Sequence, residues 1–336
     1  MGDMLADTQT ITAPDGTSLF VYTWVEPSAW TARRHDVPQP HGVFQVVHGM
    51  AEHSGRYARF ASALAEQGWA VIAHDHRGHG RTAMVPEDQG HFADEEGWRK
   101  AAEDVDFVGR HARNAYPGCR WLVRFGHSMG STLVLQTLGD FPGSVDGAIL
   151  SGAVGVVGRM LPLAQVPPRL ARWRQGKRGK SAVCDQLVFG AYNRAFEPSR
   201  TAFDWLTKDE GEVDSYIKDP MCGFKVTNQF WVDILDGLGT AYSHKNMAQI
   251  PKQLPLRFLS GARDPVSKHK VTGASQLPSA SSRLLSAGLS CVTERVWPEG
   301  RHELLNDAER EEFTADVLAW LAQHFPPGSS PEPVPG

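Results

Sequence analysis

Ser128 stands between two glycines in Gly126-His127-Ser128-Met129-Gly130, after the apolar run Arg120-Trp-Leu-Val-Arg-Phe125 and before the helical pattern Ser131-Thr-Leu-Val-Leu-Gln-Thr-Leu138. This reads as strand, tight turn, helix. A serine on such a turn projects above the carboxyl end of a sheet, and a Cβ at either flanking position would collide with the neighbouring strand or helix. Ser128 would open its helix, where unpaired N–H groups and the positive end of the dipole favour an oxyanion. The chemistry indicated is nucleophilic attack through an acyl-enzyme; a serine that only capped a helix would not need glycine on both sides.

Such a serine needs a base and a carboxylate. Residues that follow the carboxyl ends of parallel strands converge in space although distant in sequence. Asp264 follows the strand Leu256 to Ser260 through Gly-Ala-Arg, and His302 follows the strand Cys291 to Trp297 through Pro-Glu-Gly-Arg. The order Ser128, Asp264, His302 is nucleophile, acid, base, unlike the chymotrypsin-like and subtilisin-like orders. His302 would take the Ser128 proton and return it to the leaving alcohol, with Asp264 holding the imidazolium. For Asp264 the alternative is a surface turn carboxylate. Asp75, which also follows a strand, is the rival acid, but it precedes the nucleophile, and Asp75-His-Arg-Gly-His-Gly80 reads as loop structure. The backbone N–H groups of Met50 and Met129 are the expected oxyanion donors, each worth about 3 to 4 kcal/mol in the transition state. His74, His76, His79 and His127 read as loop or core groups, and no carboxylate or cysteine is patterned with them, so no metal is expected.

The elements that must position these residues follow in order. A hairpin surrounds the turn Ala13-Pro14-Asp15-Gly16. After a Pro-containing loop from Pro27 to Pro40, apolar strands at Val43 to His48 and Trp69 to His74 enclose a helix from about Arg56 to Gln67. Strand, helix, strand with right-handed crossover is the unit of a parallel sheet buried on both faces. A helix from about Glu96 to Asn114, the elbow strand and helix, and the strand Val145 to Ser151 continue the pattern. The alternation breaks from about Val154 to Ser243, which reads as a helical insertion; two more strands and a helix from about Asp307 to His324 close the fold. The expected division is therefore 10–153 and 244–325 for the core, 154–243 for the insertion, and a Pro-rich disordered tail over 326–336.

The chain has 336 residues, 41% hydrophobic and 21% charged, as expected of one large globular domain with an insertion. A net charge of −4 argues against nucleic acid as a partner. Cys119, Cys184, Cys222 and Cys291 lack disulfide or metal spacing and read as reduced thiols of a cytoplasmic protein. Met1-Gly2 opens like a myristoylation site, but Ala6 stands where Ser or Thr is needed. No apolar run approaches the roughly 20 residues that span a bilayer, so any membrane contact is expected to be peripheral.

His48-Gly-Met-Ala-Glu-His-Ser-Gly-Arg-Tyr57, Asp75-His-Arg-Gly-His-Gly80, Gly126-His-Ser-Met-Gly130 and Arg301-His-Glu-Leu-Leu-Asn306 resemble the monoglyceride lipase and lysophospholipase branch of the α/β-hydrolases. The likeness runs from about Thr17 to His324. Within the insertion, Tyr192-Asn-Arg-Ala-Phe196, Thr201-Ala-Phe-Asp-Trp-Leu206 and Asp219-Pro-Met-Cys-Gly-Phe224 resemble bacterial members. The resemblance implies an α/β-hydrolase fold with a mostly parallel sheet flanked by helices and a helical cap. It also implies hydrolysis of single-chain acyl glycerols or lysophospholipids without a cofactor, with Ser128, Asp264 and His302 as triad and Met50 and Met129 as oxyanion donors. The chain departs from the common pattern at Ser131, where a third glycine is frequent, and at Met50, where a small residue is. Short-chain carboxylesterase, acyltransferase and non-catalytic binding protein are the competing readings. In the cap, Val226, Phe230, Ile234, Leu235 and Leu238 share a helix face with Trp231 beside them; the stripe either lines an acyl tunnel, with Phe230, Trp231 and Ile234 touching substrate, or packs the cap on the sheet. The basic run Arg169, Arg172, Arg174, Lys177, Arg178 and Lys180 is either a solvated face or a peripheral contact with anionic lipid.

Overall fold

The computed structural model describes residues 6–26, 40–83, 85–154, 161–267 and 277–327. The first five residues, most of the Pro-containing loop, the start of the insertion and the tail from 328 onward lie outside them.

The strands are β1 (Asp7–Thr12), β2 (Ser18–Trp24), β3 (Gly42–Val47), β4 (Trp69–His74), β5 (Trp121–His127), β6 (Gly147–Ser151), β7 (Leu256–Gly261) and β8 (Val292–Trp297). They form one sheet of order β1-β2-β4-β3-β5-β6-β7-β8. The β1/β2 hairpin and the β2/β4 pair are antiparallel, and every pair from β4/β3 to β7/β8 is parallel. β3, β4 and β6 are buried along their whole length, which is why they read as unbroken apolar runs.

Alternate residues feed two cores. Val43, Ile72, Leu122, Leu150 and Phe258 pack on one face with α2 (Gly97–Ala115) and α3 (Met129–Asp140). Phe44, Val71, Phe125, Ile149 and Leu259 pack on the other with α1 (Ala58–Glu66) and α11 (Arg310–His324). The period of two in side-chain direction is what lets one strand serve both layers.

Between β6 and β7 the described chain is helical: α4 (Leu161–Ala164), α5 (Val166–Gln175), α6 (Ala182–Asn193), α7 (Glu210–Lys218), α8 (Asn228–Ala241) and α9 (His244–Gln249). Side chains cap several of them: Ser181, Asp209, Thr227 and Ser243 each accept a hydrogen bond from a backbone N–H of the first turn. α10 (Leu277–Ser286) lies between β7 and β8.

Candidate active site

β5 ends at His127 and α3 begins at Met129, so Ser128 alone makes the turn, at φ 53° and ψ −120°. A non-glycine residue at positive φ is strained and needs surroundings that enforce it. The enforcement is close packing. A Cβ on Gly126 would come within 2.4 Å of the Gly130 carbonyl oxygen, and one on Gly130 within 2.1 Å of the Val47 carbonyl oxygen. Ser131, in place of a third glycine, fits by turning its hydroxyl to donate to the Ser128 carbonyl at 2.6 Å.

His302 Nδ1 lies 3.1 Å from both oxygens of Asp264, with both residues buried. Asp264 Oδ1 also accepts from the Val266 N–H at 2.8 Å, which fixes the carboxylate. Burial alone would push His302 down, but the Asp264 charge and hydrogen bond outweigh it and hold His302 above 6.5. Ser128 N–H donates to the Ser151 carbonyl at 2.9 Å. A Cβ on the next residue, Gly152, would meet His302 Cε1 at 3.0 Å. Ser128, Asp264 and His302 follow β5, β7 and β8, so all three lie at the carboxyl edge of the parallel part of the sheet.

Asp75 goes elsewhere. It accepts from the Ser54 N–H at 2.8 Å, the Arg81 N–H at 2.7 Å and the Tyr22 hydroxyl at 3.3 Å, and so holds loops together.

The loop after β3 carries Met50. His48 Nδ1 is 2.7 Å from the Gly49 carbonyl, and His48 Nε2 accepts the His76 N–H at 2.9 Å, so Nδ1 is the protonated nitrogen. In a planar trans peptide the C=O and the following N–H point opposite ways. Anchoring the Gly49 carbonyl therefore aims the Met50 N–H away from His48. Ala51, at φ 55°, turns the chain, and its carbonyl accepts from the Gly223 N–H and the Tyr216 hydroxyl, each at 2.9 Å. Met129 occupies the first helical position, whose N–H has no intrahelical partner. A Cβ on Gly49 would sit 3.3 Å from Ser128 Cβ, so this loop borders the serine.

The cap covers the site with groups to which the sequence assigned no role. The Trp205 ring lies 5.1 Å from His302 and packs with Phe189 and Tyr192. Glu303 N–H donates to the Leu206 carbonyl at 2.7 Å, tying the histidine loop to the cap. Phe230 has no accessible surface; it packs on Phe92 at 4.3 Å and His79 at 5.5 Å between cap and body. Trp231 is buried too, with its Nε1 donating to Asp185 at 3.3 Å, and only Ile234 of the three is half-buried. A cleft of about 630 Å³ lined by Glu96, Arg172, Trp173, Lys177 and Gln229 contains none of Ser128, Asp264 or His302.

The basic run is partly neutralised: Arg169 pairs with Asp236 at 2.9 Å, Arg178 with Asp88 at 3.0 Å and Lys177 with Glu95 at 3.6 Å. All four cysteines are free. Among the described residues, ligand atoms of His53, Asp219 and Cys222 lie within 4.8 Å of one another, a grouping absent from the sequence spacing. His53 Nε2 and Asp219 Oδ2 are already hydrogen-bonded at 2.9 Å, joining the Met50 loop to the cap.

The family described as serine aminopeptidase, S33, matches residues 38–309. The chain is 28% identical over 289 residues to a monoacylglycerol lipase of Mycolicibacterium smegmatis, covering 85% of this chain and 90% of the relative. It is 32% identical over 245 residues to a monoglyceride lipase homolog of Monkeypox virus, covering 71% and 75%. The structure of a thermostable carboxyl esterase from Bacillus coagulans superposes with a TM-score of 0.81 at 24% identity, over 96% of this chain and 99% of that one.

Proposed function

The chain belongs to the S33 serine aminopeptidase family of α/β-hydrolases, in its monoglyceride lipase branch, and is a carboxylic ester hydrolase; from that membership we propose that it cleaves monoacylglycerols through an acyl-enzyme on Ser128. The observation that supports the mechanism is the buried His302–Asp264 pair, together with a serine held at positive φ at the end of β5. His302 Nε2 accepts the Ser128 proton as the hydroxyl attacks the ester carbonyl, and the N–H groups of Met50 and Met129 receive the oxyanion. His302 then protonates the leaving glycerol, and water repeats the sequence to release the fatty acid. Asp264 keeps the proton of the resting imidazole on Nδ1, leaving Nε2 free to act.

An aminopeptidase substrate would bring a free ammonium that needs a carboxylate to receive it. Glu52 and Glu303, two carboxylates beside the site, are both bound to Arg56. This favours the neutral glycerol ester. Purified protein assayed on monoacylglycerols, lysophospholipids, short esters and aminoacyl amides tests the reading. A preference for amides, or for acetate over long-chain glycerol esters, would remove it.

The cap also supports contact with a lipid surface. Leu163, Val166, Leu170 and Trp173 are exposed along α4 and α5, Trp173 to 81%. With several of the neighbouring cations already paired, this edge suits apolar insertion more than attraction to anionic headgroups. Flotation with phosphatidylcholine vesicles should recover the protein, and Trp173→Ala should reduce recovery. Recovery only with anionic vesicles would reverse the order of the two contributions.

Among the described residues no helix is long and apolar enough to cross a membrane.

A further inference from the structure

Around the candidate base lies a buried charge cluster whose role is a separate matter from the triad, although its argument rests on His302 being the base. Glu303, the next residue, takes Nη1 and Nη2 of Arg56 on its two oxygens, each at 2.7 Å. Arg56 Nη1 also reaches Glu52 Oε2 at 2.8 Å, and Glu52 Oε1 accepts the Gly49 N–H at 2.7 Å and the Tyr57 hydroxyl at 2.9 Å. The side chains of Arg56, Glu52 and Glu303 are only 11%, 4% and 4% exposed, and the guanidinium stacks on Tyr216 of the cap at 4.8 Å. One guanidinium thus bridges the loop that carries Met50 and the loop that carries His302. Its planar fork fills three acceptors, a geometry an ammonium does not reproduce.

We propose that Arg56 is a positioning residue that fixes the spacing of the Met50 and His302 loops and, balanced against Glu303 and Glu52, sets the pH at which His302 becomes a competent base. Inside a site shut off from water a neighbouring charge acts strongly on a titrating imidazole. The titratable and charged groups around His302 are Asp264 on its Nδ1 side, His127, whose ring is 4.7 Å away, Glu303, the next residue, with Arg56 bound to it and Glu52 bound to Arg56, and Tyr192, which packs on Trp205. Trp205 and Gly152 add uncharged contacts to the ring. Both glutamates favour the imidazolium and Arg56 opposes them. Burial works against Glu303, but Arg56 overrides it and holds the carboxyl at about 2, so this carboxylate is charged throughout the working range.

Opposite signs make the idea testable. Glu303→Gln and Arg56→Gln break the same ion pair, so a purely structural pair would lose activity alike in both. The electrostatic role instead moves the acid limb of kcat/KM down by about one pH unit in Glu303→Gln and up by a similar amount in Arg56→Gln. Arg56→Lys, which keeps the charge and loses the fork, should leave the limb in place while kcat falls about tenfold or more through loop spacing. Profiles would be measured on a p-nitrophenyl ester, with competent sites counted by fluorophosphonate labelling of Ser128, so that partial unfolding does not enter the rates. Should Arg56→Gln not fold, Glu52→Gln must shift the limb in the same direction as Glu303→Gln. A wild-type limb that neither glutamine variant at Glu303 or Glu52 moves overturns the proposal alone. So does a rise in KM confined to glycerol esters with the limb unmoved, which would make the cluster a contact for the leaving alcohol. A flat wild-type profile removes the base assignment and the proposal with it.

Discussion

Five histidines, His48, His74, His76, His79 and His127, are buried beside the catalytic loops, and this should make the fold acid-labile. Burial pushes His74 and His127 down to about 3 and His79 to about 4, and drives His48 and His76 well below 6.5. A histidine depressed in the folded state stays neutral while the unfolded chain takes up a proton below 6.5, so its stabilising contribution is present above 6.5 and is lost as pH falls. From pH 6.5 to 5 each such group costs roughly 1.6 kcal/mol, or about 8 kcal/mol for five. Buried carboxyls work the other way: burial raises Asp104 and Asp233 to about 6 and also raises Asp75, so the folded state gains protons that the unfolded chain does not. They return about 2 to 5 kcal/mol over the same interval. His302, raised rather than depressed, keeps its full contribution below 6.5 and adds nothing to the loss. The net loss of about 3 to 6 kcal/mol is a large share of an ordinary domain's stability. Urea unfolding followed by tryptophan fluorescence at pH 7.5, 6.5, 5.5 and 5 should show it, and His127→Leu should flatten the slope by about one proton. Unfolding free energies that stay level or rise between pH 6.5 and 5 would refute the reasoning.

Ser128→Ala should abolish esterase activity and fluorophosphonate labelling while leaving the urea midpoint nearly unchanged, because the hydroxyl is the only group there able to form the acyl-enzyme. Asp264→Asn should lower kcat on the order of 10⁴-fold by releasing the His302 tautomer, measured at equal labelled-site concentration. The reversible acid limb of wild-type kcat/KM should fall above 6.5, since Asp264 outweighs burial at His302; a limb well below 6.5 would contradict the pairing. Phe230→Ala should cost about 3 to 5 kcal/mol in unfolding free energy and slow esters of every chain length alike, because the ring packs between cap and body. Over part of a monoacylglycerol series kcat/KM should climb roughly three- to fourfold per added methylene as apolar surface is buried, and a decline beyond butyrate would leave a short-chain esterase.

The elbow was legible because everything it needs is consecutive: an apolar strand, two glycines that cannot carry a Cβ, and a helix. Asp264 and His302 were legible at one remove, because a parallel sheet sends all its strand ends to one edge. Asp75 was separable from Asp264 only by chain order, and the structure shows the physical reason in its three donors, two from loops and one from β2. The cap was legible as helix but not in its facing. The stripe through Phe230 has the same period whether it meets substrate or Phe92, and nothing local distinguishes the two. Nor could spacing reveal that Glu303 and Arg56 meet, 247 positions apart. Glu303 reads as one charged residue in a loop until the fold brings a guanidinium to it.

The bonds that hold the cap bear on how it works. Its stretch from Asp204 to Gly223 is fastened to both catalytic loops. Arg301 Nη1 donates to the Thr207 carbonyl at 3.0 Å, Glu303 N–H donates to the Leu206 carbonyl, and the Ala51 carbonyl accepts from Tyr216 and Gly223. His53 adds a bond to Asp219, close to Met50 in sequence. Lifting this stretch as one piece would break at least five hydrogen bonds at groups that leave water on closing, each costly to leave unmade. It would also release the Ala51 carbonyl, next to Met50. The stretch from Asp204 to Gly223 therefore acts as a wall of the active site. The α4 to α6 half is fastened as well, Asn228 N–H donating to the Gly179 carbonyl at 2.7 Å and Arg178 pairing with Asp88 at 3.0 Å, so the apolar edge formed by Leu163, Val166, Leu170 and Trp173 is presented to solvent by a segment anchored on both α8 and the body.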